Sequence, residues 1–205
     1  MTEQNFIEEC KKLGIDISQN QIAQFKKYMS LLVEWNEKMN LTAITEENEV
    51  WEKHFYDSIL PFVNSSFKTM CDVGSGAGFP GIPVKIVKPD LEITLVEPLQ
   101  KRCKFLNEVV KELGLTKVHI ENKRAEDFVK EKRESFECVS ARAVARLSIL
   151  MELCAPLVKI NGIMIALKGK NGHEELEVAS KAIDVLGMEL EREEVDSLEN
   201  QATRV

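Results

Sequence analysis

Two hydrophobic patterns divide the chain near residue 60. In the first part, apolar residues recur at the three- and four-residue spacing of an amphipathic helix: Ile22, Phe25, Met29, Leu32 and Val33. Ser18 and Gln21 have the spacing of a capping box at the start of that helix. We therefore expect residues 1–62 to form a helical cap on residues 67–205, within a single domain.

From about Phe67 onward, short apolar runs alternate with amphipathic stretches, as in buried parallel strands joined by crossover helices. The strands are predicted at residues 69–73, 92–97, 118–121, 137–141 and 162–168. The helices are predicted around residues 82–87, 99–113, 147–158 and 173–186. This order predicts an α/β fold with a doubly wound, mostly parallel sheet and a ligand at the carboxyl ends of its strands. Residues 188–195 and 202–205 are expected to form an antiparallel pair at the sheet edge, although the second segment is short.

Composition narrows the class of protein. The 205 residues are 44% hydrophobic and 30% charged, which is typical of one ordinary globular domain. No window reaches the roughly 18 apolar residues of a membrane span, and the polar start is unlike a secretory leader, so we expect a cytoplasmic protein. Five cysteines without a C-x-x-C pair indicate neither disulfides nor a metal. The net charge of −7 argues against indiscriminate nucleic-acid coating but allows a local basic rim.

A glycine-rich run joins the first predicted strand to the first predicted helix, and its backbone N–H groups can approach a nucleotide-like ligand. Asp72-x-Gly74-x-Gly76-x-Gly78 has the methyltransferase spelling, whereas Gly76-x-Gly78-x-x-Gly81 has the dinucleotide spelling. An acid before the first glycine suits the ammonium group of S-adenosylmethionine, and the run follows a long helical segment. Both features favour the methyltransferase interpretation over a dinucleotide site or a simple tight turn.

Two further segments supply candidate cofactor contacts. Glu97 ends the second predicted strand, where a carboxylate can accept hydrogen bonds from ribose hydroxyls, although it could instead cap the helix that begins near Leu99. After the third strand, residues 124–128 supply a small residue, acids and an aromatic ring where an adenine would lie. The alternative for this segment is a set of solvated loop charges.

Several motifs resemble those of one known family. In chain order they are Trp35-Asn36-Glu37-Lys38-Met39-Asn40-Leu41-Thr42, His54-Phe55-Tyr56-Asp57-Ser58, residues 72–83 with their Gly78-Phe79-Pro80-Gly81-Ile82-Pro83 extension, Lys101-Arg102, Arg124-Ala125-Glu126, Ser140-Ala141-Arg142-Ala143 and Ala166-Leu167-Lys168-Gly169. They span most of residues 28–170, and their combination is far more specific than any one of them. The chain resembles the RsmG family, also called GidB, of bacterial small-subunit ribosomal RNA guanine-N7 methyltransferases.

The resemblance implies a class I, Rossmann-like methyltransferase fold and S-adenosylmethionine as cofactor. It implies that Gly74 and Phe79 line the cofactor, that Ala125 and Glu126 flank its adenine, and that Arg142 contacts it near the site of methyl transfer. The implied partner is small-subunit ribosomal RNA, in a ribonucleoprotein particle. Relatives continue through a final hydrophobic strand that this chain lacks beyond its last residue, so we expect the folding of that edge to differ.

Methyl transfer to guanine N7 requires alignment more than a general base, because N7 carries an in-plane lone pair and no proton. Cations at the strand ends are candidates for holding the base or its phosphate: Arg142, Arg146 and Lys168. A basic rim for the RNA backbone is a further hypothesis, against simple solvation: Lys101, Arg102, Lys104, Lys123 and Arg124. His54 and Asp57 form either a functional pair or part of the core of the cap.

Three alternatives stay open on sequence grounds. One is a methyltransferase acting on another RNA or on a small molecule. A nicotinamide oxidoreductase is a second, although Tyr28 and Tyr56, the two tyrosines, both precede the glycine run. The third is a non-catalytic RNA-binding module, which would have no use for a cofactor loop or for Glu97.

Overall fold

A computed structural model describes residues 1–142, 144–196 and 202–204. The main sheet contains β1 (Thr69–Val73), β2 (Glu92–Val96), β3 (Val118–Glu121), β4 (Phe136–Arg142) and β5 (Val158–Leu167). The strand order is β3-β2-β1-β4-β5, and every neighbouring pair is parallel. The order reverses between β1 and β4, which confirms the predicted doubly wound fold and places its switch point between these two strands.

Helices precede the sheet and connect its strands. The first part contains α1 (Glu3–Lys12), α2 (Gln19–Met39), α3 (Glu47–Glu49), a π-helix (Val50–Tyr56), α4 (Asp57–Ile59) and a 3₁₀ turn (Leu60–Phe62). The later helices are α5 (Gly81–Val87), α6 (Gln100–Glu112), α7 (Ala125–Glu131), α8 (Leu147–Cys154) and α9 (Gly172–Val185). Of the helices in the described residues, none is long and apolar enough to cross a membrane.

The cap helices pack into the same hydrophobic core as one face of the sheet. That core joins the aromatic side chains of the cap to residues of α5 and α6: Phe6, Phe25, Tyr28, Trp51, Phe55, Ile82 and Phe105. The predicted capping box is present, since the Gln21 N–H donates to Ser18 Oγ and the Ser18 N–H donates to Gln21 Oε1. Val33, expected on the apolar face, is 38% exposed, and Tyr28 is buried on that face instead.

Helices α7, α8 and α9 pack against the opposite face of the sheet. Met70 belongs to the core shared with the cap, and the next residue, Cys71, belongs to the second core with Phe128, Leu150 and Leu176. Successive side chains of a strand point to opposite faces. Burial on both faces explains why these strands appear in the sequence as continuous apolar runs.

Three elements differ from the sequence prediction by more than their end residues. Helix α7 is absent from the prediction, which places residues 124–128 in a ligand-binding segment. Strand β5 begins at Val158 rather than at residue 162, and the ladder shifts register between Phe136 and Cys138. Helix α8 ends at Cys154, since Pro156 lies in a 3₁₀ turn (Ala155–Leu157).

The predicted C-terminal pair is shorter than expected. Strands β6 (Glu194–Asp196) and β7 (Ala202–Arg204) are antiparallel, as predicted, but they form a separate two-stranded sheet and do not extend the edge of the main one. Val205, the last residue of the predicted pair, lies outside the described residues.

Candidate functional site

A cleft of about 570 Å³ opens at the carboxyl ends of β1, β2 and β4. Its walls come from the residues that follow these strands, from the start of α7, and from Thr42 and His54 of the cap. This volume is within the range of small-molecule sites. A larger depression of about 930 Å³ runs along β5 and does not include the glycine loop. The smaller cleft lies at the topological switch point, where ligands of open α/β sheets bind.

Two glycines of the loop need their lack of a side chain for different reasons. Gly74 and Gly76 have φ angles of +71° and +59°, in the left-handed region. A Cβ on Gly74 would lie 2.6 Å from Val144 Cγ2, so Val144 packs directly on that backbone. A Cβ on Gly76 would have Gly74 O as its nearest neighbour, at 3.9 Å. The backbone of Gly76 is therefore open to the cleft, and a ligand can approach it closely.

Asp72 lies beneath the loop and does not line the cleft. Its Oδ2 accepts a hydrogen bond from the Gly81 N–H at 3.1 Å, and its Oδ1 accepts one from the Ser140 hydroxyl at 3.1 Å. Burial raises the pKa of this carboxyl to about 6. Gly78 also lies below, where a Cβ would be 2.7 Å from Tyr28 Oη. Both residues support the loop from behind and do not line the cleft, so their contact with the cofactor stays a prediction.

Glu97 lies at the wall of the cleft and also holds the start of α6. It lines the cleft, and its side chain is almost completely buried. Its Oε2 accepts from the Gly76 N–H at 2.9 Å, and its Oε1 accepts from the Leu99 N–H at the start of α6, also at 2.9 Å. Arg102 Nη1 is 3.8 Å from Oε2. The carboxylate thus connects the glycine loop to α6 and remains at the wall of the cleft.

The segment after β3 forms the first turn of α7 and faces the cleft. Arg124 precedes the helix, and Ala125 and Glu126 begin it; all three residues line the cleft. Lys123 points elsewhere, since its Nζ is 2.7 Å from Glu131 and 3.4 Å from Glu121. The predicted cofactor contacts Ala125 and Glu126 are therefore brought to the cleft, but on a helix.

Arg142, the last residue of β4, is the centre of a cluster at the other end of the cleft. Its guanidinium carbon lies 5.0 Å from the centre of the Phe79 ring. Its Nη1 donates to Lys53 O at 3.2 Å and is 3.5 Å from Asp57 Oδ2. The His54 ring stacks on the same Phe79 ring, with centroids 4.2 Å apart. The structure thus joins the predicted Phe79 and Arg142 to residues of the cap.

His54 stays neutral in this cluster. Burial, followed by the positive charge of Arg142, lowers its pKa to about 3. The sequence left open whether His54 and Asp57 form a functional pair or belong to the core. In the structure both residues are directed at Arg142: His54 through Nδ1 at 3.4 Å and Asp57 through its carboxylate. The π-helix that carries Lys53 and His54 is a rare element that is frequent at functional sites.

The other predicted cations separate into three groups. Arg102 and Arg124 line the cleft. Lys101, Lys104 and Arg146 are exposed and lie outside its lining. Lys168 is almost fully buried, with its Nζ 2.8 Å from Glu175 Oε2 and donating to Ala145 O at 2.6 Å. Lys168 therefore supports the loop after β4, which corrects its expected place among the residues that contact the substrate.

Thr42 and Val144 are among the cleft residues that were not proposed from the sequence. Thr42 belongs to the quoted Asn40-Leu41-Thr42 motif, so its position in that motif is the signal that could have identified it. Val144 covers Gly74, and nothing in its local sequence indicates this contact. Ala143, which precedes Val144 and ends the Ser140-Ala141-Arg142-Ala143 motif, lies outside the described residues.

Comparison with solved structures supports the fold. M. jannaschii TYW2 in complex with AdoMet superposes with a TM-score of 0.60 at 14% sequence identity, over 80% of this chain and 80% of that one. A precorrin-6y C5,15-methyltransferase from Geobacter metallireducens gives a TM-score of 0.54 at 13% identity, over 81% of this chain and 87% of that one. At these identities the similarity concerns the fold alone.

Other proteins are much more similar to this chain in sequence than these two structures are. A protein named ribosomal RNA small subunit methyltransferase G, from Lysinibacillus sphaericus, is 54% identical over 198 residues, which cover 94% of this chain and 83% of that protein. A protein of the same name from Staphylococcus haemolyticus is 55% identical over 183 residues, covering 87% and 76% of the two chains. The family described as GidB, rRNA small subunit methyltransferase G, matches residues 21–203. The chain therefore belongs to the GidB family of rRNA small subunit methyltransferases.

Proposed function

We propose that this protein transfers a methyl group from S-adenosylmethionine to N7 of a guanosine in small-subunit ribosomal RNA. The observation that carries the proposal is the family match over residues 21–203, which includes the whole cleft at the switch point. We infer that the enzyme works in the cytoplasm on a ribonucleoprotein particle.

The residues of the cleft suit the cofactor. The open backbone at Gly76 can lie against it, and Glu97 retains lone pairs for ribose hydroxyls, because each carboxylate oxygen accepts one protein hydrogen bond at present. Ala125 and Glu126 would flank the adenine, which places the methionine end toward Phe79 and Arg142. Bound there, S-adenosylmethionine supplies an electrophilic methyl group.

The side chains of the cleft suit an acceptor that has no proton to lose. A base would be needed to deprotonate an amine, whereas guanine N7 attacks through a free lone pair. The neutral ring of His54, at the reacting end of the cleft, is already hydrogen-bonded on both nitrogens. The carboxylates of Glu97 and Glu126 lie on the side assigned to the adenosine. The protein then contributes alignment and electrostatic environment rather than proton transfer.

The same geometry disfavours a nicotinamide oxidoreductase. Tyr28 is buried, and its hydroxyl donates to Ala77 O at 2.5 Å beneath the glycine loop. Burial also raises its pKa well above the ordinary value. Such a tyrosine has no access to a substrate in the cleft, and its hydroxyl keeps its proton.

Exposed cations near the cleft would contact the RNA backbone. Arg102 and Arg124 are at its wall, and Lys101 and Arg146 lie outside the lining. Phosphate contacts of this kind position a nucleic acid, while a pocket selects the base. Their contribution should weaken as salt concentration rises.

The test combines calorimetry with methylation. The purified protein is titrated with S-adenosylmethionine and separately with NAD, and it is then incubated with labelled S-adenosylmethionine and small ribosomal subunits that lack the modification. Label on a guanine N7, located by chemical cleavage at 7-methylguanosine, is the expected result. Binding of NAD alone, or label on another atom, would refute the proposal. Naked ribosomal RNA in parallel shows whether the particle is the better substrate.

A further inference from the structure

Thr42 is held in a defined position by the end of α2. Asn40 ends this helix in the left-handed conformation, with a φ of 48°, and Leu41 is buried behind it. The Thr42 N–H then donates to Asn36 Oδ1 at 2.9 Å. The side chain of Thr42 therefore reaches the cleft from a loop whose backbone is anchored on α2.

We assign the tautomer of His54 from its hydrogen-bond partners. Nδ1 faces Arg142 Nη2 at 3.4 Å, and because a guanidinium can only donate, Nδ1 must accept. A neutral imidazole with an accepting Nδ1 carries its hydrogen on Nε2. Nε2 is 2.8 Å from Thr42 Oγ1, so His54 donates to the hydroxyl oxygen.

In this arrangement the Thr42 hydroxyl can act toward a ligand only as a hydrogen-bond donor. Its oxygen accepts from His54 Nε2 and from the Ile44 N–H at 3.0 Å, which occupies both lone pairs. Among residues 1–142 and 144–196, no acceptor is assigned to its own hydrogen in this tautomer. Because Thr42 lines the cleft, that hydrogen is available to a ligand there.

We propose that the Thr42 hydroxyl donates a hydrogen bond to the 6-carbonyl oxygen of the target purine and so selects guanine over purines with a 6-amino group. This inference rests on the proposed function. The 6-carbonyl lies beside N7 on the same edge of guanine, and an amino group at that position would present a second donor to the hydroxyl. His54 and Arg142 act here as positioning residues that orient the hydroxyl.

The location of Thr42 favours the purine over the cofactor as its partner. Glu97, Ala125 and Glu126 form the part of the cleft assigned to the adenosine. Thr42 comes instead from the cap and belongs to the cluster of Phe79 and Arg142, where the methyl group would be transferred. A donor on this side meets the base that receives the methyl group.

The experiment measures base selectivity. After the methylated guanosine has been mapped, small subunits are reconstituted with RNA that carries either guanosine or 2,6-diaminopurine riboside at that position. The second base retains N7 and the 2-amino group but replaces the 6-carbonyl with an amine. We expect kcat/KM of the wild type to be at least about a hundredfold higher for guanosine, because an amine there leaves two donors facing each other.

Three variants isolate the hydroxyl. Thr42→Val should lower kcat/KM for guanosine about tenfold, the effect of one neutral hydrogen bond, and raise the diaminopurine value, because the donor that opposes the 6-amino group is gone. Thr42→Ser should keep the wild-type selectivity. Thr45→Val, at an exposed threonine of the same loop, is the matched control and should change nothing. Melting temperatures establish that each variant is folded.

Several outcomes would overturn the inference. One is a wild type that methylates both bases equally well, a result that needs no variant and so holds even if Thr42→Val fails to fold. Unchanged selectivity in folded Thr42→Val is another. A tenfold loss of S-adenosylmethionine affinity in Thr42→Val would assign the hydroxyl to the cofactor instead. Absence of N7 methylation by the wild type would refute the proposed function itself, which separates the two failures.

Discussion

Arg142 and Lys168 are cations at the ends of two neighbouring parallel strands, and their environments are very different. Arg142 ends β4 and pairs in register with Leu167, the residue before Lys168. Arg142 lines the cleft, over the Phe79 ring and beside His54. Lys168 is buried against Glu175 of α9 and the carbonyl of Ala145.

The difference follows from the position of each strand in the sheet. Strand β4 adjoins β1 at the switch point, so its end faces the glycine loop. Strand β5 lies one position farther out, and the first turns of α9 cover its end with Glu175. A cation at a strand end is therefore a binding candidate only where the topology leaves that end open.

Removing the Arg142 side chain should have the largest effect. Arg142→Ala should lower methyl transfer at least about a hundredfold, because the side chain orients the cluster at the reacting end of the cleft. The Asp57 carboxylate would also lose its cation, at a stability cost of about 2 kcal/mol. Methylation assays and thermal melts measure the two effects separately. Wild-type turnover in this variant would refute the role of Arg142.

Lys168 should behave in the opposite way. Lys168→Met should reduce the free energy of unfolding by about 2 kcal/mol, because it leaves the Glu175 carboxylate without its buried partner. Below its melting temperature, the folded variant should retain methyl transfer within a fewfold of the wild type. In the double variant with Glu175→Gln, denaturant unfolding should show a loss smaller than the sum of the single losses. A stable but inactive Lys168→Met would mean that this lysine does contact the substrate.

The loop after β4, which Lys168 supports through Ala145, also carries Val144. The contact of Val144 with Gly74 therefore tests whether this loop has a structural role at the switch point. Gly74→Ala should cost about 2 kcal/mol, the sum of left-handed strain and collision with Val144. Gly76→Ala should cost about 1 kcal/mol, since its Cβ meets open space. Chemical denaturation of both variants checks this order. Adding Val144→Ala should recover part of the loss at Gly74 and none at Gly76.

Asp72 is a buried anion near the same switch point, and its effect should depend on pH. Its pKa is about 6 in the folded protein, above its ordinary value of 3.8, so the folded state binds the proton more tightly than the unfolded state. The contribution of Asp72 to stability is therefore fully present below about pH 4 and is lost as the pH rises to about 6.

The variant Asp72→Asn isolates that contribution. Asparagine carries no charge, so its stability relative to the wild type should increase by about 1–3 kcal/mol between pH 4 and pH 6. Urea unfolding at a series of pH values measures the difference, in which other titrating groups cancel. A constant difference across this range would mean that burial does not raise the pKa of Asp72.

The sequence by itself determined the alternation of strands and helices, the doubly wound class, the glycine loop and the family. These features depend on local periodicity and on motifs of adjacent residues, which survive without knowledge of the fold. Local signals failed where the same residues allow two structures. Residues 124–128, predicted as a binding segment, overlap helix α7, and the strand predicted from Gly162 begins four residues earlier, at Val158.

Only the tertiary structure decided which candidate residues share the cleft. Phe79, Glu97 and Arg142 meet there, whereas Asp72 supports the loop from below and Lys168 is covered by α9. Thr42 lines the cleft because the cap folds over the strand ends. These strand ends are far from Thr42 in the sequence. The burial and charge pairing of a residue depend on the neighbours that the topology brings to it. Hydrophobic periodicity is a local pattern and does not identify those neighbours.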